Sequence, residues 1–308
     1  MKYTFIVNPK SSSGNGAMIW KRIEPELMKR RVEYEVRFTR YARHAVEIAA
    51  EATADGEERV LVVLGGDGTM NEVVSGISDS GKVILGSIPT GSGNDFSRAP
   101  GLPKDPLRAL EVILDQERLV PMDVGTMRCK DREYRFAVST GIGFDAAVCH
   151  CVAKSGLKVL LNKFGLGRLS YLIIAIQRLL GDKRVPCKLW LDDGPPIAFE
   201  GIYFAAVMNH PYEGGGFFFC PKAEIGDGYL DVIVVSDIPT WKIFLLLPTA
   251  FWGGHVKYHG IDVFRCRRAR LECGEALPVH TDGEPIPAEM SLEAGLCENQ
   301  VRLIVPAG

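Results

Sequence analysis

The sequence predicts an α/β amino-terminal domain on a parallel sheet, followed by a mainly antiparallel β domain. Two observations carry this expectation. Up to Pro121, short apolar runs alternate with segments of helical pattern, at a spacing that suits a parallel sheet covered on both faces. After Pro121, strand-like runs follow one another, joined mostly by turn chemistry such as Asp193-Gly194, Gly226-Asp227-Gly228 and Asp282-Gly283. The boundary is therefore expected at Pro121, giving domains 1–121 and 122–308, with the last strand either staying in the second domain or returning to the first.

The elements follow in order. "YTFIVNP" is a strand ending at Asn8-Pro9, and "SSSGNG" (Ser11 to Gly16) is a loop of small residues. A helix is expected from Ala17 to Arg31, a second strand at "EYEVRFT", and a helix at "HAVEIAAEATADG" with Gly56 as its stop signal. "RVLVVLGG" is near-continuously apolar, as for a strand buried on both faces. "GTMNEVVSGI" opens a helix, "KVILGSIPTG" is a strand and "DPLRALEVILD" a helix. Beyond Pro121 the strands are "REYRFAVST", "PCKLWLDD", "IAFEGIYFAAVMN", "GYLDVIVVS", "DVFRCRRARLEC", "EMSLEAG" and "QVRLIVP", with one or two helices between them.

Composition bounds the function. The chain has 308 residues, 46% hydrophobic and 24% charged, enough to bury a full core in two domains. A net charge of -2 gives no global sign of a nucleic-acid partner. Eight cysteines, no CxxC pair and no export signal in "MKYTFIVNPK" read as reduced thiols in a cytosolic protein. Cys149-His150-Cys151 reads as buried thiols rather than a metal site, and His255 and His259 lack an evident third ligand. No segment reaches about 18 uninterrupted apolar residues, so no transmembrane helix is expected. The best candidate, Phe164 to Gly181, is broken by Arg168 and Gln177-Arg178.

Three strand ends carry the chemistry. Gly65, Gly66 and Gly68 end one strand and open a helix, where missing Cβ atoms permit positive φ and close backbone approach. Their N–H groups, with the helix N-terminus, suit an anion such as phosphate. Asp67 is the odd residue, because an acid beside phosphate repels it unless it manages a metal or a proton. The alternative is a tight turn in which Asp67 caps the helix. "IPTGSGNDFSR" (Ile88 to Arg98) and "NPKSSSGNG" supply two more small, polar loops at strand ends. No Walker motif is present. "GIGFDA" (Gly141 to Ala146) matches a dinucleotide-binding pattern, but no acid follows it through Gly181 to hold a ribose.

Taken in order, these motifs resemble the diacylglycerol kinase catalytic-domain family of soluble bacterial lipid kinases, related to sphingosine and ceramide kinases. The resemblance covers nearly the whole chain. It runs through Asn8-Pro9 with Gly14 and Gly16, Thr39 with His44-Ala45, "GGDGTMNEV", "PTGSGNDF", "MDVG" (Met122 to Gly125) and "GIGFDA". It continues through "GGGF" (Gly214 to Phe217), "PKAEIGDGYLDV" (Pro221 to Val232) and "TDGEP" (Thr281 to Pro285). One departure is Ser92, where the family more often has threonine; the hydroxyl is kept. The resemblance implies a nucleotide-binding first domain and a lipid-substrate second domain with the active site in the cleft. It implies ATP binding by Asn8, Thr39, Gly65, Gly66, Asp67, Gly68, Thr69, Asn71, Glu72 and Thr90. It implies Mg²⁺ on the Asp227 side chain with the backbone carbonyls of Glu224 and Tyr229. It places the catalytic base at Glu284 or Asp282, and matches Asp145 to an acid that contacts the lipid head group.

Elementary chemistry fits the same residues. A lipid hydroxyl is a poor nucleophile and needs a carboxylate to take its proton as it attacks phosphorus. Glu284 and Asp282 stand on a turn that is otherwise an ordinary Asp-Gly hairpin. Asp67 either holds Mg²⁺ or orders a water network to a Mg²⁺ near Asp227, and hard oxygen ligands suit that ion better than zinc.

A lipid kinase must also meet a bilayer. Ala146 to Gly181 lacks acids but has Lys154, Lys158, Lys163, Arg168 and Arg178, and Ile238 to Ile261 lacks acids while holding Trp241, Phe244, Leu245, Phe251, Trp252 and Tyr258. Such stretches suit either an interface with lipid or the core, one face serving each. "RCRRAR" places Arg265, Arg267 and Arg270 near head groups or on a solvated strand face. The expectation is a cytoplasmic enzyme peripheral to the inner membrane surface, with no nucleic-acid partner and a homodimer as a candidate state. Diacylglycerol is the leading acceptor. The competing readings are a kinase of another lipid alcohol, an NAD kinase, which shares a GGDG turn, and a sensor without turnover.

Overall fold

The computed structural model describes residues 2–154 and 184–307. The Phe164–Gly181 run, with Lys158, Lys163, Arg168 and Arg178, lies outside them. The chain forms two compact units. The first holds Met1–Val124, Ile225–Asp227 and Glu298–Gly308, and the second holds Gly125–Glu224 and Gly228–Cys297. The division thus falls at Val124–Gly125, a few residues past Pro121, and two later segments belong to the first unit.

The first unit begins with β1 (Tyr3–Val7), α1 (Ser11–Gly14), α2 (Gly16–Lys29), β2 (Tyr34–Phe38) and α3 (His44–Thr53). It continues with β3 (Arg59–Gly65), α4 (Asp67–Gly76), β4 (Val83–Pro89), α5 (Asp95–Arg98), α6 (Pro106–Asp115) and β5 (Arg118–Met122). Every residue of β3 and β4 is buried, which is why both runs are mostly apolar, with Arg59 and Ser87 as the polar exceptions. α6 starts where the Asp105 side chain accepts from the N–H groups of Leu107 and Arg108, with Pro106 at the first helical position. It stops at Gln116, which takes the left-handed conformation.

The second unit holds β6 (Gly125–Cys129), β7 (Arg132–Phe136), β8 (Ser139–Gly143), α7 (Phe144–Lys154), β9 (Val185–Leu191), β10 (Ile197–Met208) and β11 (Leu230–Ser236). It ends with α8 (Thr240–Leu246), β12 (Ile261–Cys266), β13 (Ala269–Thr281) and β14 (Glu284–Leu296). Its nine strands run β12-β11-β10-β8-β13-β14-β6-β7, and β9 pairs with both β10 and β13. All of these pairings are antiparallel. The core between them includes Met127, Phe136, Ile142, Leu189, Val207 and Leu271.

The last strand, β15 (Val301–Val305), lies in the first sheet, whose order is β2-β1-β3-β4-β15-β5. It runs parallel to β4 and antiparallel to β5. Four of its side chains (Val301, Leu303, Ile304 and Val305) are buried there. β2, β1, β3 and β4 are parallel neighbours, so the loops at their carboxyl ends share one edge of the sheet.

Several sequence expectations change. The "SSSGNG" loop contains α1, "REYRFAVST" is divided between β7 and β8, and Cys149 and Cys151 are half-buried rather than buried. "DVFRCRRARLEC" is two strands, not one. The break falls at Arg267-Arg268, where the Asp192 carboxylate accepts both backbone N–H groups at 2.8 and 2.9 Å and takes them out of the ladder. "GIGFDA", already without the acid that a dinucleotide site needs, places Gly141 and Gly143 in β8, an interior strand of the antiparallel sheet.

Candidate active site

Three of the loops at the edge of the first sheet are tied together through side chains. Asn8, just past β1, donates from Nδ2 to Thr69 Oγ1 at 3.0 Å. Ser11 Oγ donates to the Asn8 carbonyl at 2.8 Å, and Thr90 Oγ1 donates to Ser11 Oγ at 2.8 Å. The backbone continues the sheet pairing past its ends: Asn8 N–H meets Leu64 O, Thr39 N–H meets Val7 O and Thr90 N–H meets Gly65 O, each at 2.9 Å. Asn8, Thr39, Gly65, Thr69 and Thr90 thus come from four adjacent strand ends.

The glycines are needed for close approach. Gly65, Gly66 and Gly68 all have negative φ, so the freedom to take positive φ does not explain them. A Cβ on Gly65 would lie 2.5 Å from Thr69 Cβ. A Cβ on Gly66 would come within 3.0 Å of Gly91 Cα, and one on Gly91 within 2.7 Å of Gly66 Cα. The two loops touch backbone to backbone, and any side chain would separate them.

Asp67 opens α4, with Gly68 and Asn71 in the turns that follow. Its carboxylate accepts the Phe96 N–H at 3.1 Å from the neighbouring loop. Burial pushes its pKa up, against the backbone N–H groups of Phe96, Asp95 and Asn94, which favour the charged form. An acid desolvated in this way, yet met by backbone N–H groups, fits a place that receives a cation or a proton. Glu72, one turn further, plays a structural part. Its two oxygens accept the backbone N–H groups of Arg43 and Ala45 at 2.9 and 3.1 Å, which holds the start of α3.

Asp227 sits in the short segment that belongs to the first unit. That segment is pinned by Asp123, whose N–H donates to Ile225 O at 2.7 Å. Gln300 Nε2 donates both to Asp123 Oδ1 at 2.8 Å and to Gly226 O at 3.1 Å. Gly226 is obligatory, since a Cβ would lie 2.1 Å from the Pro121 carbonyl oxygen. Glu224 and Tyr229 flank the segment in the second unit. The Arg265 and Arg267 guanidiniums lie 4.6 and 5.2 Å from the centre of the Tyr229 ring, so these two cations already have an aromatic partner.

In the second unit, Thr281 pairs with Glu284 across a two-residue loop. Asp282 and Gly283 both have positive φ, 47° and 79°, which makes it a type I′ hairpin. The Asp282 carboxylate accepts three backbone N–H groups, from Ala137 at 2.7 Å, Val138 at 2.8 Å and Ser139 at 2.9 Å. Glu284 is exposed at the first position of β14.

Beside this turn, buried His280 meets two acids. Its Nε2 lies 3.0 Å from Asp145 Oδ2 and 3.2 Å from Glu213 Oε1. The Gly283 N–H is directed at Nδ1 at 3.2 Å, which puts the proton of the neutral ring on Nε2, between the carboxylates. Asp145, Glu213 and His280 have metal-ligand atoms within 4.8 Å of one another. Burial by itself would lower the His280 pKa. The charges of Glu213, Asp145 and Asp282 more than reverse this and push it up to about 9. Gly141 makes the pair possible, because a Cβ there would lie 2.2 Å from Asp145 Oδ2 and 2.6 Å from His280 Nε2.

Both units match known families. The diacylglycerol kinase catalytic domain matches residues 2–127, and the YegS C-terminal NAD kinase beta sandwich-like domain matches residues 137–304. The chain belongs to the diacylglycerol kinase/YegS-like family of bacterial lipid kinases. Among relatives, YtlR of Bacillus subtilis, assigned as a lipid kinase, is 32% identical over 91% of this chain and 92% of its own. A Mycobacterium tuberculosis diacylglycerol kinase is 29% identical over 94% and 92%. The fold matches the crystal structure of a Bacillus anthracis protein assigned as a diacylglycerol kinase, with TM-score 0.77 at 24% identity over 99% of this chain and 96% of that one. An Archaeoglobus fulgidus NAD kinase in complex with ATP matches at TM-score 0.52 and 13% identity over 99% and 93%.

Four residues that the structure places in these clusters were not among the sequence candidates: Asp123, Gln300, Glu213 and His280. Asp123 had a signal, since it lies in the "MDVG" motif. Glu213 precedes "GGGF" and His280 precedes "TDGEP", so both adjoin family motifs, while Gln300 carried no signal.

Proposed function

We propose that the protein is an ATP-dependent lipid kinase that phosphorylates diacylglycerol to phosphatidic acid. The observation that carries this is the tied edge of the first sheet. There, Asn8, Thr69, Ser11 and Thr90 link loops whose glycines bring backbone against backbone around Asp67. Backbone N–H groups and a helix N-terminus at such an edge suit the phosphates of ATP. An NAD kinase of the same fold in complex with ATP, and a relative named diacylglycerol kinase, support the two halves of the reading.

The residues divide the work as follows. Asn8, Thr39, Thr90 and the Gly65–Thr69 turn bind and orient the nucleotide, with Asn71 behind them and Glu72 acting through the end of α3 that it holds. Asp282 spends both oxygens on three backbone N–H groups, which ties it to the fold. Glu284 is therefore assigned as the base that takes the acceptor hydroxyl's proton. Asp145, held by His280, orients the lipid head group. The oxygens of Asp227, Glu224 and Tyr229 are a hard donor set that fits Mg²⁺. When bound, that ion neutralises charge on the transferred phosphoryl group.

The test is transfer of label from γ-³²P ATP, with Mg²⁺, to diacylglycerol, ceramide, sphingosine, monoacylglycerol and phosphatidylglycerol in mixed micelles, with NAD as a soluble control. Labelled phosphatidic acid is the expected result. Label on another lipid would change the acceptor, and label on NAD alone would replace the lipid reading. Among the described residues no helix is long and apolar enough to cross a membrane. The proposed site of action is the membrane surface, where a lipid acceptor is found.

A further inference from the structure

α8 and the 3-10 turns after it, Leu247–Trp252 and Gly254–Lys257, are fastened to the second unit by one side only. Leu246, Ala250 and His255 are buried, and Ile243 and Phe244 pack on a cluster that contains Tyr203, Phe204 and Ile238. The Tyr203 hydroxyl donates to Ile238 O at 3.0 Å, the His255 ring lies 3.1 Å from Phe219 O, and Phe218 N–H donates to Ala250 O at 2.7 Å. These contacts fix the segment, so its outer side chains are displayed by a rigid support.

Those outer side chains are large and apolar. Trp241 and Leu245, one helical turn apart on α8, are 65% and 66% exposed, and Phe251 and Trp252 on the next turn are 55% and 66% exposed. Tyr258 follows, also exposed. Single exposed apolar residues are ordinary, but a run of them within eighteen residues is an interaction surface. No Asp or Glu occurs from Ile238 to Ile261, and Lys242 and Lys257 lie within the stretch.

We infer that this face adsorbs to an anionic lipid surface, with the two tryptophans and Leu245 entering the acyl boundary and the lysines meeting the head groups. Tryptophan and tyrosine favour the boundary between head group and hydrocarbon, and lysine is drawn to anionic lipid. The absence of acids over the whole stretch removes the repulsion that would oppose contact with such a surface. The inference gains its purpose from the lipid-kinase reading, and it concerns adsorption rather than turnover.

The experiment is co-sedimentation with vesicles of phosphatidylglycerol and phosphatidylcholine, without ATP, for the wild type and for W241S/W252S. The wild type is expected to bind, with tryptophan fluorescence quenched by brominated acyl chains. The double variant is expected to bind at least about tenfold more weakly, as loss of 1.4 kcal/mol or more requires, with an unchanged melting temperature. It is also expected to lose turnover on vesicles and keep it on a short-chain, monomeric diacylglycerol. Equal binding by both proteins, or no binding by the wild type, would overturn the inference. So would a wild-type dimer that the double variant converts to monomer, since the face would then seat a second copy. A wild type that binds vesicles but phosphorylates no lipid would sink the kinase reading and leave the adsorbing face standing.

Discussion

His280 Nε2 lies 3.0 Å from Asp145 Oδ2, a contact that joins the strand leading into the Asp282-Gly283 turn to the first turn of α7. Glu213 Oε1 lies 3.2 Å from the same nitrogen, so the buried ring meets two carboxylates. A residue expected to orient substrate is thereby tied to the turn that carries the proposed base.

The pair makes stability depend on pH. The folded-state pKa of His280 is raised from 6.5 to about 9, so the folded protein holds the proton more tightly than the unfolded chain. The resulting stability is fully present below pH 6.5 and is lost as pH rises through about 9, on the order of 3 kcal/mol in all. Denaturant titrations of wild type and His280→Asn from pH 6 to 10 should show that loss in the wild type alone. Parallel curves for the two proteins would refute it.

Gly141→Ala places a methyl group where Asp145 and His280 meet. Overpacking of this kind costs about 1–3 kcal/mol. The expected result is a lower melting temperature and a raised KM for lipid with little change in KM for ATP. An unchanged lipid KM would remove the pair from substrate orientation.

The two acids of the turn should separate cleanly. Glu284→Gln is expected to lower kcat by about 10²–10⁴-fold at an unchanged melting temperature. Asp282→Ala leaves three N–H groups without their acceptor and should unfold at lower temperature. Normal turnover by Glu284→Gln would return the role of base to another group.

Asp67 is expected to trade stability for function. An acid whose folded-state pKa is raised weakens the fold at neutral pH, and this loss is relieved as pH falls through the folded-state value. Asp67→Asn should therefore be at least as stable as the wild type at pH 7 without nucleotide, while kcat falls by about 100-fold or more. A marked drop in stability with activity retained would make Asp67 a helix cap and nothing else.

Much of the fold was legible because its signals are local. The all-buried β3 read as a near-continuous apolar run, and the type I′ turn at Asp282-Gly283 read as a hairpin. The glycines of "GGDGT" were legible as a close approach, but what approached was not: Gly91 stands twenty-five residues beyond Gly66. The single strand expected through Arg267 failed because its break depends on Asp192, a residue on another element.

By itself the sequence determined the two-domain plan, the small polar loops at the strand ends and the motifs that define the family, because each is written in spacing, turn chemistry or local order. Tertiary structure decided the return of β15 to the first sheet, the three backbone N–H groups that Asp282 holds, the capping role of Glu72 and the burial of His280 between two acids. Those outcomes rest on partners far apart in the chain, such as His280 and Asp145 at a separation of 135 residues. Local periodicity shows which face a residue presents; which residue it meets there is settled when the sheets close and their cores exclude water.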